Sequence, residues 1–251
     1  MSQTTLCFDF GNTRLKCAFF RDGELKEIME LENGGVEGVG AALRKFQPNR
    51  TILSSVINHD PEIEKVLSGS TSFHLLNAGS RLPFTTPVGK PETIGADRLA
   101  LAAAAVHFYP GKNNLAIGLG SCITFNFINK YHAFLGGSIS PGMEMRFKAM
   151  NQYTAKLPVI KPDPATVGWS FPLVGYDTRT NLISGVLFGL ATEIDGIIEK
   201  YAEKYTNFNV LLTGGDTRYF AHLLKNKIFA DPDLIFKGLY AISEQNDDTK
   251  T

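Results

Sequence analysis

Apolar and polar positions along the chain predict a first half made of three strands, a helix, a strand and a helix. The strands carry β-branched and aromatic residues between turn residues, and the second helix begins with Asp60 as a candidate N-cap and Pro61 at the first helical position. The predicted elements are residues 4–10, 14–20, 25–31, 36–46 and 51–56, and the helix after Asp60. A Gly- and Pro-rich segment, 78–93, predicts a loop or lid before a helix at 94–109.

The second half also opens with three strands, followed by two helices and a further strand. These elements are 115–121, 122–128, 132–140, 141–152, Thr178 to about Lys204, and 209–216. The repeated order of elements indicates a duplicated α/β unit. The sequence PGKNN at 110–114 separates the halves, so we predict domains at 1–112 and 113–251. The polar tail from Ser243 is predicted to be frayed.

Composition narrows the classes of function. The 251 residues are 43% hydrophobic, and Lys+Arg and Asp+Glu both number 25. A formal net charge of zero offers no excess of basic residues for nucleic acid or an anionic membrane, so we expect neither as a partner. The three cysteines lie in apolar stretches without a C-x-x-C pair, and we see neither a signal peptide nor an apolar helix long enough to span a bilayer. We therefore expect a cytoplasmic protein.

The first turn, in DFGNTRLK, carries candidate phosphate-binding chemistry. Gly11 would allow a positive φ and close approach of a ligand, and Asn12 and Thr13 would add donors. Lys16 would supply a mobile positive charge, and Asp9 would hold magnesium through water. A plain hairpin turn explains the same residues without any ligand.

Three other segments carry candidate chemistry. In GADR, Asp97 either complements the helix dipole or acts as a general base, with Arg98 as an anchor for a ligand oxygen. GLGSCIT at 118–124 and TGGD at 213–216 are further glycine-rich junctions after apolar strands. Three such junctions in one chain favour a shared nucleotide site over three unrelated turns.

The chain resembles the type III pantothenate kinases of the acetate kinase/sugar kinase/Hsp70/actin superfamily. DFGNTRLK, IGADR, GLGSCIT, GGSISPG, TRTNLISG and LLTGGD follow one another in the order of that family, over residues 6–216. The resemblance implies two ribonuclease-H-like domains with a nucleotide cleft between them. It also implies a homodimer with the active site near the interface, and transfer of the ATP γ-phosphate to the 4′-hydroxyl of pantothenate, the first step of coenzyme A biosynthesis.

The same resemblance implies roles for individual residues. The ATP site would comprise Asp9, Phe10, Gly11, Asn12, Thr13, Arg14, Leu15, Lys16 and Ser121. The pantothenate site would comprise Val88, Gly95, Ala96, Asp97, Arg98 and Thr178, with Asp97 as the proton acceptor. The implied cofactors are Mg²⁺ with the ATP, and K⁺ or NH₄⁺ as an activating cation.

Two positions depart from the family pattern. Gly118 stands where the family has an aspartate that helps hold the monovalent cation, and Asn126 replaces a second acid. Val88 stands where the family often has a tyrosine against pantothenate. These departures leave two alternatives to a pantothenate kinase: a nucleotide-binding regulator of the same family, and a kinase for another hydroxyl.

Overall fold

A computed structural model describes residues 2–31, 35–165 and 171–247, which divide into two compact units. Unit 1 runs to Gly111, and it also includes Tyr131–Leu135 and the chain from Asp233 onward. Unit 2 contains Lys112–Lys130 and Gly136–Pro232.

Unit 1 is built on a five-stranded sheet in the order β3-β2-β1-β4-β5. β1 pairs antiparallel with β2 and parallel with β4. Phenylalanine and leucine side chains of β1 and β4 pack with α1 and α2 in one apolar cluster. Its elements are β1 (Thr4–Phe10), β2 (Leu15–Arg21), β3 (Glu24–Glu30), α1 (Val36–Phe46), β4 (Arg50–Ser55), α2 (Pro61–Ser70), β5 (Ser72–Leu75) and α3 (Ala96–Phe108).

The second sheet repeats this topology, with the order β8-β7-β6-β9-β10. β6 pairs antiparallel with β7 and parallel with β9, as β1 does with β2 and β4. The expected duplication of one α/β unit is therefore confirmed at the level of strand order. The elements that follow α3 are β6 (Asn113–Leu119), β7 (Cys122–Ile128), β8 (Phe134–Pro141), α4 (Met143–Gln152), α5 (Thr178–Lys204), β9 (Phe208–Thr213), α6 (Thr217–Phe220) and β10 (Phe229–Ala230).

Most predicted elements are confirmed, and their ends have identifiable causes. Asp60 caps α2 by accepting a hydrogen bond from the N–H of Glu62, with Pro61 at the first helical position. α5 begins at Thr178 because Asp177 and Thr180 form a capping box. The segment 78–93 is mostly irregular, but it contains a short 3₁₀ turn at Pro91–Thr93 and a bridge from Thr85 to Ala133.

The prediction of a frayed tail from Ser243 was wrong. A helix, α7 (Leu234–Gln245), extends into that segment as far as Gln245, and Ser243 in it is fully buried. α7 packs against α3 so closely that a Cβ at Gly238 would lie 1.9 Å from the carbonyl oxygen of Ala100. This packing places the last helix in unit 1, whereas we had predicted one continuous domain from 113 to 251. Of the predicted tail, residues 248–251 lie outside the described part of the chain.

The buried side chain of Arg50 links α7 and the residue Asp247 after it to the first sheet. The Arg50 side chain is 3% exposed and donates to the Thr5 hydroxyl at 2.9 Å and to the Asp247 carboxylate at 2.9 Å. It also donates to the Glu244 carboxylate. Two carboxylates from the C-terminal segment therefore neutralise one guanidinium at the start of β4.

α5 is long and apolar enough to meet the length and composition criteria for a membrane span. This differs from the expectation that no apolar helix is long enough to span a bilayer. Half of the apolar window in α5 is buried, and residues such as Leu187, Leu190 and Ile194 contribute to the core of unit 2. A core helix meets the same criteria, because the apolar residues that it packs against the protein interior raise its hydropathy.

We expect Asp247→Ala to destabilise unit 1 by about 1–3 kcal/mol, because the buried Arg50 guanidinium would keep only Glu244 as a charged partner. Urea or thermal unfolding measures the loss. Gln245→Ala, an exposed position in the same turn, is the matched control. Equal unfolding midpoints for the two variants would show that Arg50 does not hold α7.

Candidate active site

Asp9 lies near the end of β1, at a partly exposed position in an otherwise buried strand. The antiparallel register sets it opposite Lys16 on β2, and the parallel register sets it beside Ser54 on β4. The Ser54 hydroxyl donates to Asp9 Oδ1 at 3.5 Å, the long limit of a hydrogen bond. Pairing on both sides therefore fixes this carboxylate between a cation and a hydroxyl.

Asp97 stands in the first turn of α3, where the helix dipole favours an acid. Its carboxylate folds back over Gly95, so that a Cβ at Gly95 would lie 2.5 Å from Asp97 Oδ1. Burial raises the pKa of Asp97, against the backbone N–H and guanidinium of Arg98, which lower it. The Arg98 guanidinium lies 5.5 Å from the centre of the Phe134 ring, in cation–π geometry.

The structure brings Asp9 and Asp97 together. Burial, and after it the nearby Asp97 carboxylate, raise the pKa of Asp9 to about 7, against the opposing effects of Lys16 and Ser54. Two carboxyl groups in one poorly hydrated place favour binding of a proton or a cation there. This pairing is the main electrostatic feature of the site.

The turn after β1 differs in one respect from the expectation. Gly11 does not have a positive φ, and its N–H donates to the Arg14 carbonyl at 3.1 Å. That N–H is therefore already used within the turn. Asn12 and Thr13 are exposed at the tip, and Lys16 is half-buried at the base.

The other predicted site residues occupy several positions in the two units. Val88 is half-buried in the segment before α3, and Ala96 is buried in the first turn of α3. Ser121 follows β6 in unit 2, where its carbonyl accepts from the N–H of Gly142 at 3.0 Å. Thr178 is exposed at the start of α5, also in unit 2.

The second and third glycine-rich junctions meet in unit 2, at the ends of the parallel strands β6 and β9. Gly214, at φ +98°, lies so close to β6 that a Cβ would be 2.3 Å from the Leu119 carbonyl oxygen. Gly118 pairs with Thr124 on one side and Thr213 on the other. Gly118 therefore occupies in the second sheet the place that Asp9 occupies in the first.

Two comparisons with known proteins agree on one family. A family model described as type III pantothenate kinase matches residues 5–200. A protein named type III pantothenate kinase from Christiangramia forsetii is 40% identical over 243 residues, which are 96% of this chain and 98% of the relative.

The chain belongs to the type III pantothenate kinase family.

Two solved structures support the fold. A Baf family transcriptional activator from Campylobacter jejuni has a TM-score of 0.59 at 21% identity, covering 96% of this chain and 98% of the other. A ROK family glucokinase from Streptomyces griseus, in complex with glucose and AMPPNP, has a TM-score of 0.54 at 12% identity, covering 96% and 99%. This type III pantothenate kinase family member therefore shares their fold, with two ribonuclease-H-like domains.

Ser54 of this type III pantothenate kinase family member is a candidate site residue that was not predicted from the sequence. Two small polar residues ending an apolar strand, in TILSSV, were a signal that this strand ends at a functional edge. Among the described residues no group of three or more His, Cys, Asp or Glu side chains is placed to hold a metal ion. The side chains of Asp9 and Asp97, with the adjacent hydroxyl of Ser54, bring several oxygen atoms together in unit 1.

The pKa of Asp9 predicts a pH-dependent stability. Between the ordinary value of 3.8 and about 7, the folded chain keeps a proton on Asp9 that the unfolded chain has released. The free energy of unfolding therefore falls as pH rises through this range. Asp9→Asn lacks this group, so its melting temperature relative to the parent should rise between about pH 5 and about pH 8 in metal-free buffer.

Differential scanning fluorimetry across this range measures the difference between the variant and the parent. Asp22→Asn, at an exposed turn, is the control. A difference curve for Asp9→Asn that rises no more than that of the control would contradict the raised pKa of Asp9.

Proposed function

We propose that this chain transfers the γ-phosphate of ATP to the 4′-hydroxyl of pantothenate, in the first step toward coenzyme A. The observation that carries the proposal is the pair of Asp9 and Asp97, with Lys16 across the ladder, in a chain of this family. The pair supplies a base for a hydroxyl and a place for a cation beside phosphate oxygens. The intact acids and lysine favour this function over the nucleotide-binding regulator.

In the proposed reaction, the pantothenate hydroxyl oxygen attacks the γ-phosphorus as the bond from that phosphorus to the β,γ-bridging oxygen breaks. ADP leaves with the electron pair of that bond, and the hydroxyl proton passes to an Asp97 oxygen. A raised pKa suits Asp97 for this, because a base works best when its pKa lies near the working pH. The loose transition state of phosphoryl transfer requires mainly positioning and charge neutralisation.

Lys16 and Asp9 act on the phosphates in this proposal. Lys16 neutralises phosphate oxygens as a point charge. Asp9 fits a water-mediated contact to Mg²⁺, because magnesium is commonly bound by one or two carboxylates together with substrate phosphates. When bound, Mg²⁺ would offset the negative charge that develops on the phosphates.

The proposed contacts to ATP and pantothenate extend to residues supported by the family resemblance. For ATP these are Phe10, Gly11, Asn12, Thr13, Arg14, Leu15 and Ser121, in addition to Asp9 and Lys16. For pantothenate these are Val88, Gly95, Ala96, Arg98 and Thr178. Arg98 suits the pantothenate carboxylate, because a guanidinium binds a carboxylate through two parallel hydrogen bonds.

Asp97→Asn is expected to lower kcat by about 10²–10⁴-fold, because the amide cannot accept the hydroxyl proton. Coupled ADP release with pantothenate, ATP and magnesium measures turnover, and calorimetry with ATP should show near-normal affinity. Lys16→Ala should instead raise the KM for ATP, while Lys26→Ala, at an exposed site paired with Glu24, should not. Asp97→Asn turnover of at least half that of the parent would exclude Asp97 as the base.

Activation by a monovalent cation needs its own test, because Gly118 has no carboxylate to bind the cation. We expect weak activation of the parent by K⁺ or NH₄⁺, seen at high concentration, or none. Gly118 has an ordinary strand conformation, so Gly118→Asp does not require a strained backbone. The buried Thr213 hydroxyl beside it has no hydrogen-bond partner in the described structure and can bind the new carboxylate.

Gly118→Asp is therefore expected to give tighter, saturable cation dependence. The measurement is turnover against K⁺ and NH₄⁺ at constant ionic strength, with Gly118→Asn as the uncharged control. Saturable activation of the parent at low millimolar cation would show that another ligand replaces the missing carboxylate.

We further propose a homodimer formed through apolar residues of unit 2. Ile139 on β8 and Met145 on α4 are exposed, and Leu173, Val174 and Tyr176 are exposed before α5. The Ser184 hydroxyl donates to the Leu173 carbonyl at 2.5 Å, so this segment is held beside α5. An apolar surface of this kind is typical of an interface, and the proposed pantothenate contact Thr178 lies next to it in sequence.

Val174→Asp is expected to convert the dimer to a monomer and to raise the KM for pantothenate, because a buried charge opposes association. Light scattering after size exclusion gives the mass. Tyr131→Asp, at an exposed aromatic residue of unit 1, is the control. A monomeric parent would refute the dimer, and a dimeric Val174→Asp would show that another surface forms it.

A further inference from the structure

A hydrogen-bonded cluster of Ser55, His59 and Glu64 lies at the carboxyl end of β4, outside the residues already assigned. His59 Nδ1 is 3.0 Å from the Ser55 hydroxyl, and His59 Nε2 is 3.0 Å from Glu64 Oε1. The Ser55 hydroxyl also donates to the Ile57 carbonyl at 3.0 Å. Both nitrogens of the imidazole are therefore engaged, and the His59 side chain is only 14% exposed.

The segment held by His59 touches both parts of the candidate active site. Ser54 donates to Asp9, and the N–H of Val56 donates to the Phe10 carbonyl at 3.0 Å, which extends the β1–β4 ladder. The Val56 side chain reaches Gly95, where a Cβ would lie 3.8 Å from Val56 Cγ1. Residues 54–56 therefore lie against the strand that carries Asp9 and the turn that carries Asp97.

The ring of His59 makes a second contact with the site. It packs edge-on against Phe10, with 6.0 Å between ring centroids and 82° between planes. Phe10 is fully buried and follows Asp9 directly in β1. Glu64, on α2, thus orients an imidazole that fixes the end of β4 through Ser55 and the end of β1 through Phe10.

We infer that His59, held by Glu64, is a positioning residue that sets the separation of the Asp9 and Asp97 carboxylates by fixing residues 54–56. The inference rests on the proposed phosphoryl transfer for its effect on turnover. His59 does not touch the reacting groups. His59 acts through Ser54 and Val56. Small displacements of the two carboxylates lower the rate, because phosphoryl transfer depends on how the reacting groups are positioned.

His59→Ala is expected to lower kcat by about 10- to 100-fold, because displacement of a catalytic group by about 1 Å costs rate of this order. The KM values for ATP and pantothenate should stay within about twofold, since the proposed binding side chains are unchanged. His59→Asn places an amide near the Nδ1 position, so it can keep the bond to Ser55 and should recover part of the loss.

Glu64→Ala leaves the imidazole in place and removes only its acceptor, so it should reduce kcat less than His59→Ala. Glu62→Ala is its matched control, because it also removes an acid from the first turn of α2 but contacts Lys65 instead of His59. Kinetics at the parent level for His59→Ala, or equal kinetics for the two glutamate variants, would overturn the inference.

Amide hydrogen exchange provides a readout that requires no substrate. The Val56 N–H should exchange faster in His59→Ala and Glu64→Ala than in the parent and Glu62→Ala, since its bond to Phe10 loosens. Unchanged exchange at Val56 would overturn the inference even if turnover falls. A parent that does not release ADP with pantothenate would overturn the proposed function, while the exchange measurement still decides whether His59 fixes the segment.

Discussion

Two carboxylates held in a poorly hydrated place repel one another, and unit 1 is organised so that Asp9 and Asp97 nevertheless remain there. Desolvation and mutual repulsion both favour the neutral acid, which is why the pKa of Asp9 rises to about 7. Lys16, Ser54 and the N-terminus of α3 offset part of this cost. The part of the cost that is not offset favours binding of a cation or a proton at the site. Phosphoryl transfer requires both, because the negative charge of the phosphates has to be neutralised and the hydroxyl proton has to be accepted.

Much of the fold could be predicted from the sequence, because most elements of the two sheets have strong local patterns. β1 and α5 were bounded correctly, since an apolar strand ending in glycine and a long apolar helix after an acidic cap are clear signals. β5 and β10 are short and were missed. α7 was missed although its apolar residues recur at helical spacing, because its polar end was taken for a tail. Glu244 is held in place by partners that are distant in the sequence, Arg50 and Gln3.

The site was predictable where its residues are close in sequence. The spacing of Asp9 and Lys16 in one hairpin sets them opposite each other, and the acid in GADR lies at a helix start. The pairing of Asp9 with Asp97 was not predictable, because it depends on how α3 packs on the sheet. Ser54 and His59 reach the site through a parallel neighbour, whose register no local pattern reveals. Gly11 was read correctly as a turn residue but wrongly as a positive-φ residue.

The return of α7 to unit 1 has a consequence for how the chain is made on the ribosome. Gln3 and Glu244 are hydrogen-bonded to each other although 241 positions separate them. Synthesis of unit 1 thus begins before that of unit 2 and is completed after it, because the buried Arg50 pairs with carboxylates that follow unit 2 in the chain. Unit 2 lies between these segments and can fold as soon as it emerges. While unit 2 is being translated, the nascent chain still lacks the two carboxylates that neutralise Arg50, so a stop before Glu244 would leave unit 1, with Asp9 and Asp97, incomplete.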